Sequence, residues 1–456
     1  MSQNNPRCME EGQFVCAFKQ YNLFVNSAEP QPEAFYCRAQ HLFDDFRESP
    51  KKPNRSIGWN IFKEWVVAII LALVSMVALL RAKANKLTTV HYLIDVKNSE
   101  GVYDRRSEYI FRGLPPNSTI NFFHVHRPRN VFFSLGQRTN AVYFESLWKV
   151  VSIFILKKNV KKRAAPNGLV EEYRSAWKDQ CVRESESERQ IQFWQPMFRW
   201  LGIQRMICID DARHTGELRL ACQREGIPAL AYMHARFNEY HVGLSRPPFD
   251  RYLVWAPMWK ELLERMNPEY RNTSITISGH PQLHSEKQVM RSSNPIRIMW
   301  LEETNIDYEE LKAFALALNK VPNVEVVFRG KAGSGRQGVV PWEGCEHWET
   351  DHSNGLIQSL QEKEISLVLG THSSALLESW LVGVPSVMLA SSYDYAWGLV
   401  IEGKVDGCES TEELHAVIQR VVGMDEAELR RRKELVWGTQ PEWNPESTKE
   451  WLKDLY

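Results

Sequence analysis

Two groups of polar residues, each set at the end of an apolar run, hold most of the chemistry this sequence offers. In the first, the run ALAYM ends at His234 and the run RMICI ends at Asp210 and Asp211. An imidazole titrates near neutrality and suits removal of a proton from a hydroxyl group. A lone histidine is more often structural, and its place at a strand end is one of the two things that raise this one. Asp210 and Asp211 are the alternative base. Adjacent residues of an extended segment point to opposite faces, so the two should not form a carboxylate dyad. One is expected to act as base or to orient His234, and the other to cap the helix beginning near Gly216. Arg213 and His214 beside them suit an anionic acceptor, or are simply a polar loop.

The second group lies in ISLVLGTHSSALLESWLVGVPSVML, residues 365–389. A short apolar run suits a buried parallel strand, and Gly370 bounds it. Thr371, His372, Ser373 and Ser374 follow and lead into a helix with Leu376, Leu377, Trp380 and Leu381 on its apolar side. Gly383 stops that helix, and Pro385 keeps it from resuming before the next strand. The first turn of a helix has unpaired N–H groups and the positive end of the dipole, which together favour a phosphate. Ser374 and Glu378 share one helix face, where a carboxylate can accept hydrogen bonds from ribose hydroxyls. Arg329 and Lys331 follow the strand EVVF and should emerge at the same sheet edge, with Gly330, Gly333 and Gly335 keeping their loop small. The plain alternatives are an ordinary crossover with a serine N-cap and a solvated glycine-rich loop. Arg329-Gly-Lys is not a P-loop.

These groups need strands to position them, and the chain supplies two series. Strands are expected at 88–96, 119–124, 205–209, 229–233 and 252–256, with 130–133 starting or continuing an element. Helices are expected at 142–156, 185–201 and 217–223. A second series, after Gly279-His280-Pro281, has strands at 297–301, 325–328 and 365–369 and helices at 308–318, 355–360, 412–422 and 427–436. Strands alternating with helices imply parallel sheets covered on both faces. The expected fold class is therefore α/β, with two Rossmann-like parallel-sheet domains facing a cleft. The expected division is an N-terminal extension (1–56), a hydrophobic helix (57–86), a first Rossmann-like domain (87–285) and a second Rossmann-like domain (286–456).

The stretch Gly370-Thr371-x-Ser373-Ser374-x-x-Leu377-Glu378, then Gly383-Val384-Pro385, resembles the donor-binding helix of GT-B-fold glycosyltransferases. ITISGHPQLHS (275–285), YLVWAPMWKELL (252–263) and GIPALAYMHARF (226–237) are similar to segments of bacterial surface-polysaccharide and polyol-phosphate transferases. In those enzymes the last of these strands ends in an essential histidine. The likeness covers roughly residues 200–400. It departs at Ala235, where those relatives usually have glycine, and at Arg329-Gly330-Lys331, where many have a His-Pro pair. It implies a metal-independent transferase with a nucleotide-sugar substrate and no cofactor. His234, Asp210 and Asp211 would be catalytic, Arg329, Lys331, Thr371, His372, Ser373, Ser374 and Glu378 would bind the donor, and Arg213 and His214 would lie on the acceptor side. A polyol-phosphate transferase, a nucleotide-sugar 2-epimerase and a non-catalytic membrane-bound binding protein are the other readings.

Composition sets the context. The chain has 456 residues, 43% hydrophobic and 25% charged, with formal net charge zero, so nothing points to nucleic acid. Eight scattered cysteines without a C-x-x-C pair fit a reducing compartment and no zinc site. Residues 65–80, WVVAIILALVSMVALL, carry no charge and are flanked by Lys63 and Glu64 and by Arg81, Lys83 and Lys86. A perpendicular span needs about 20 apolar residues, so three readings stand: a short span, a helix lying in the interface, and a buried helix. The amphipathic run WKVVSIFILKKNVKKR (148–163) also suits anionic headgroups, or is a core helix with a solvated basic end. The expectation is a glycan or lipid-linked acceptor, with the domains on the cytoplasmic face of the inner membrane or, alternatively, in the cytoplasm.

Overall fold

The computed structural model describes residues 18–19, 21–22, 33–41, 43, 58–94, 105–124, 140–154, 174–210, 215–283, 294–303, 306, 308–331, 339–352, 355–391 and 396–453. Asp211, Arg213, His214, Gly333, Gly335 and the expected elements at 130–133 and 157–163 lie outside them. The chain divides into two compact units, each built on a parallel sheet.

The larger unit holds seven strands: β1 (Thr89–Leu93), β2 (Thr119–Phe123), β3 (Ala141–Tyr143), β4 (Arg205–Ile209), β5 (Ala229–Tyr232), β6 (Arg251–Val254) and β7 (Ser274–Ile277). Their order is β3-β2-β1-β4-β5-β6-β7 with every pair parallel. All residues of β1 and β2 are buried, as expected of strands covered on both faces. The chain runs outward from β1 to β3 and then returns to β4, so the topological switch lies between β1 and β4.

The other unit holds β8 (Ile296–Leu301), β9 (Val324–Arg329), β10 (Glu349–Asp351), β11 (Leu367–Gly370), β12 (Ser386–Leu389) and β13 (Asp406–Cys408), in the order β10-β9-β8-β11-β12-β13. Its switch lies between β8 and β11. The core collects Ile298, Trp300, Phe328, Leu367, Leu369 and Val387 with Leu311, Phe314 and Leu318 of the helix Tyr308–Leu318.

The two parallel α/β sheets are those that the alternating pattern implies. Three details differ from expectation. The segment expected as one helix over 142–156 begins as a strand, β3, which pairs with β2 before the helix Phe144–Val151 starts. Its run Ala141-Val142-Tyr143 is wholly buried, and a β-branched and an aromatic residue suit a pleated edge better than a helix start. The last segment, expected with the second domain, returns to the larger unit. Asn444 caps the helix Pro445–Trp451 by accepting from the N–H groups of Glu446 and Ser447, and Trp451 is buried edge-on to Tyr232. Part of the N-terminal extension is also built in. Phe35 is fully buried and its carbonyl accepts from Gln180 at 2.6 Å, while the Arg38 guanidinium meets the buried Glu217 at 2.5 Å.

The apolar helix runs from Gly58 to Ala84. Leu71 packs with Leu93, Phe123, Ala141 and Tyr143. Ser75 Oγ accepts from Tyr143 N at 2.8 Å and donates to the Leu71 carbonyl at 2.7 Å. This helix therefore covers the β3 edge of the sheet.

Candidate functional site

Each expected cluster lies at the carboxyl edge of its own sheet, and the two are built differently. In the larger unit Asp210 directly follows β4, beside the switch point, and His234 lies two residues beyond β5. Asp210 Oδ1 accepts the His234 backbone N–H at 2.9 Å and also meets His234 Nδ1. The Tyr252 hydroxyl donates to Asp210 Oδ2 at 2.8 Å. Asp210 is buried, whereas the His234 side chain keeps partial exposure. Burial raises the Asp210 pKa, and the charge and hydrogen bonds of His234 and the Tyr252 hydroxyl oppose that rise. Burial also holds the Tyr252 phenol well above its ordinary value, so it remains a donor. A carboxylate on Nδ1 fixes the tautomer that carries its proton there, and Nε2 is then the nitrogen that takes up a proton.

This settles the geometry of Asp210. Both its oxygens are engaged, Oδ1 by His234 and Oδ2 by Tyr252. It does not cap the following helix: that helix starts at Gly216 after Thr215, with no side-chain cap. Gly216 is required because a Cβ there would stand 2.3 Å from the Cys37 carbonyl oxygen. Sequence reading missed Tyr252. It sits in the middle of β6, and only the strand order β4-β5-β6 brings its hydroxyl to Asp210.

In the other unit the carboxyl edge is crowded with buried acids. Glu302 and Glu303 follow β8 and are both buried. Glu303 Oε1 accepts from the backbone N–H groups of Thr371 (3.2 Å), His372 (3.2 Å) and Ser373 (3.0 Å). Its other oxygen lies 3.6 Å from His372 Nε2. Gly370 permits this approach, since a Cβ there would meet Glu303 Oε1 at 3.2 Å and Leu301 Cδ1 at 3.1 Å. The N–H groups expected to meet a phosphate are therefore held by a carboxylate of the chain itself.

The remaining donor candidates are also engaged. Arg329 pairs with Asp351, which accepts a second hydrogen bond from Ser359 Oγ at 2.6 Å. The Lys331 backbone N–H donates to Glu302 at 2.6 Å. Thr371 Oγ1 meets His372 Nδ1 at 2.9 Å, and Ser373 Oγ accepts from Ala375 N at 3.3 Å. Ser374 and Glu378 share a face as expected. Burial raises the Glu378 pKa, against a hydrogen bond from Ser374 and the charge of Arg329. The helix is short: Ala375–Glu378 is α-helical and Ser379–Val382 is a 3-10 turn. The sequence signal for Glu303 was present, because a pair of carboxylates follows an apolar strand just as Arg329 does. Among the described residues no group of three or more His, Cys, Asp or Glu could hold a metal ion.

No family model matches the sequence, and no curated protein matches it. Solved structures do. CalG4, the calicheamicin glycosyltransferase, is 14% identical with a TM-score of 0.48, the match covering 81% of this chain and 99% of that one. A co-structure of S. aureus MnaA with UDP is 9% identical with a TM-score of 0.46, covering 81% and 96%. Acinetobacter baumannii MurG is 11% identical with a TM-score of 0.43, covering 80% and 97%. UDP-N-acetylglucosamine 2-epimerase is also among the similar structures, at 10% identity and a TM-score of 0.43 over 81% of this chain and 95% of that one.

Proposed function

We propose that this protein is a glycosyltransferase that moves a sugar from a nucleotide-activated donor to a glycan or lipid-linked acceptor of surface-polysaccharide assembly, at the cytoplasmic face of a membrane. The observation that carries the reading is the Asp210–His234 pair with Tyr252 behind it. His234 Nε2 takes the acceptor hydroxyl proton as that oxygen bonds to the anomeric carbon and the anomeric carbon–oxygen bond to the nucleoside diphosphate breaks, the diphosphate leaving with the electron pair. Asp210 stabilises the imidazolium that results, and Tyr252 holds the second carboxylate oxygen. The other unit holds the donor, with Glu378 accepting from ribose hydroxyls. Mechanism without a metal requires basic groups or backbone donors at the diphosphate, for which Lys331 and the 371–374 loop are the candidates.

One observation favours a second reading, a non-catalytic protein that binds nucleotide or glycan. Glu303 holds three of the loop N–H groups, so a diphosphate must displace it or bind elsewhere. The deciding experiment measures binding of UDP, CDP, GDP and CMP derivatives by calorimetry, followed by sugar transfer from whichever binds. A transferase gives turnover that His234→Ala lowers by ~10²–10⁴-fold with donor binding kept. Binding without turnover supports the second reading, and turnover unaffected by His234→Ala removes the proposed base.

A further inference from the structure

Between Val66 and Leu80 the outward face of the helix Gly58–Ala84 is apolar, as is the face that packs on the protein. Ala68, Leu71, Ala72, Ser75, Ala78, Leu79 and Ala82 are buried, the small residues allowing close approach to the rest of the unit. Val66, Ile69, Leu73, Met76, Val77 and Leu80 project to the outside, with Leu73 63% and Leu80 57% exposed. Their spacing of three and four residues sets them in one stripe about 21 Å long. A contiguous apolar surface of this kind marks a docking site.

We propose that this stripe seats the protein in the plane of a lipid surface, with the helix axis along the membrane and not across it. The inner face excludes a span. Leu71 belongs to the core beside β3, and Ser75 Oγ accepts the backbone N–H of Tyr143, so a helix crossing the bilayer would strip the edge of its own sheet. The flanks suit an interface. At one end the Lys149 ammonium lies 4.8 Å over the Trp65 ring, and the turn that follows the helix carrying Lys149 presents Ile153 and Phe154, which are 63% and 81% exposed. At the other end Lys83 donates to the Trp200 carbonyl at 2.5 Å, and Trp200 itself is 44% exposed. Aromatic and cationic side chains at both ends of an apolar stripe fit the headgroup level.

Charge selects lipid over a second copy of the chain. Arg81, Lys83 and Lys86 cluster at the C-terminal end, and Lys63 and Lys149 stand at the other against Glu64. Parallel pairing of two helices sets the first cluster against itself, and antiparallel pairing sets it against the second. Anionic headgroups meet both ends without that repulsion. The inference stands independently of sugar transfer.

The test is flotation of the full chain with phosphatidylcholine–phosphatidylglycerol vesicles, together with labelling by a membrane-impermeant maleimide. Wild type should float and resist high-salt extraction, since apolar burial is not screened. Leu73→Glu with Leu80→Glu should lower partition at least about tenfold while leaving the melting temperature unchanged. Leu73→Gln with Leu80→Gln gives the same test should the charged pair unfold the protein. In sealed inside-out vesicles from expressing cells, Lys63→Cys and Lys86→Cys should both be labelled beyond the parent protein. Labelling of one end only means that the helix spans. Unchanged partition of the stripe variants means that another surface docks. A chain that stays out of vesicles and elutes as a dimer, made monomeric by Leu73→Glu, assigns the stripe to a second copy. Each of these three results overturns the proposal.

Discussion

Two buried carboxylates, Asp210 and Glu303, each sit just beyond a strand that flanks the switch point of a parallel sheet, the return strand β4 in one and the first strand β8 in the other. They use that place in opposite ways. Asp210 spends its oxygens on the His234 imidazole, the His234 backbone N–H and the Tyr252 hydroxyl, and so leaves a histidine nitrogen for chemistry. Glu303 spends one oxygen on three backbone N–H groups and closes the loop that was expected to meet phosphate. A carboxylate at a strand end thus prepares a site or fills one, depending on whether its partners are side chains with a second functional atom or backbone donors that have none.

The largest effect that sharpens this contrast lies in turnover. Asp210→Asn should lower transfer by ~10²–10⁴-fold, as His234→Ala should, and the double variant should be no slower than the slower single one, because the pair is expected to act as a unit. Multiplied losses in the double variant would separate the two residues and dissolve the comparison.

A histidine without a carboxylate provides the next test. His280 packs edge-on to Trp255 and Trp437, and burial lowers its pKa to about 3. The unfolded chain binds this proton below its ordinary 6.5 and the folded chain does not until about 3. Its contribution is therefore complete above that ordinary value and is lost as pH falls through the window, at about 1.4 kcal/mol per pH unit. Urea denaturation of wild type and His280→Phe across that range should show the steeper acid loss in wild type. Equal slopes would show that His280 is protonated in the fold.

Glu303→Ala should cost ~1–3 kcal/mol of stability by orphaning buried N–H groups. UDP should raise its melting temperature more than it raises that of wild type, since the freed donors suit an anion. An equal rise in both proteins would mean that nucleotide does not reach these N–H groups. An effect of similar size is expected from Glu378→Ala, a loss of nucleotide affinity of ~1–3 kcal/mol that mirrors lost hydrogen bonds to one charged group. Unchanged affinity in a folded variant would move the ribose contact away from the Ser374–Glu378 face.

Much of this molecule was legible in the order of its residues. Short apolar runs alternating with helical periodicity determine parallel sheets, because a strand buried on both faces has no polar side and needs a helical crossover to reach its parallel neighbour. The same runs place His234, Asp210, Arg329 and the 371–374 loop at carboxyl edges, since a side chain just past a strand's last residue has only that edge to occupy. What sequence could not decide was pairing. Tyr252 and Asp210 are 42 positions apart, and Glu303 and Thr371 are 68 apart. Only strand order brings them together. The apolar helix shows the same division: its composition declares a hydrophobic segment, but both faces are apolar, so periodicity does not say which face meets protein. The packing of Leu71 and Ser75 on β3 decides it, because small residues on one side let the sheet come close enough to bury them, and the large aliphatic residues opposite are left outside.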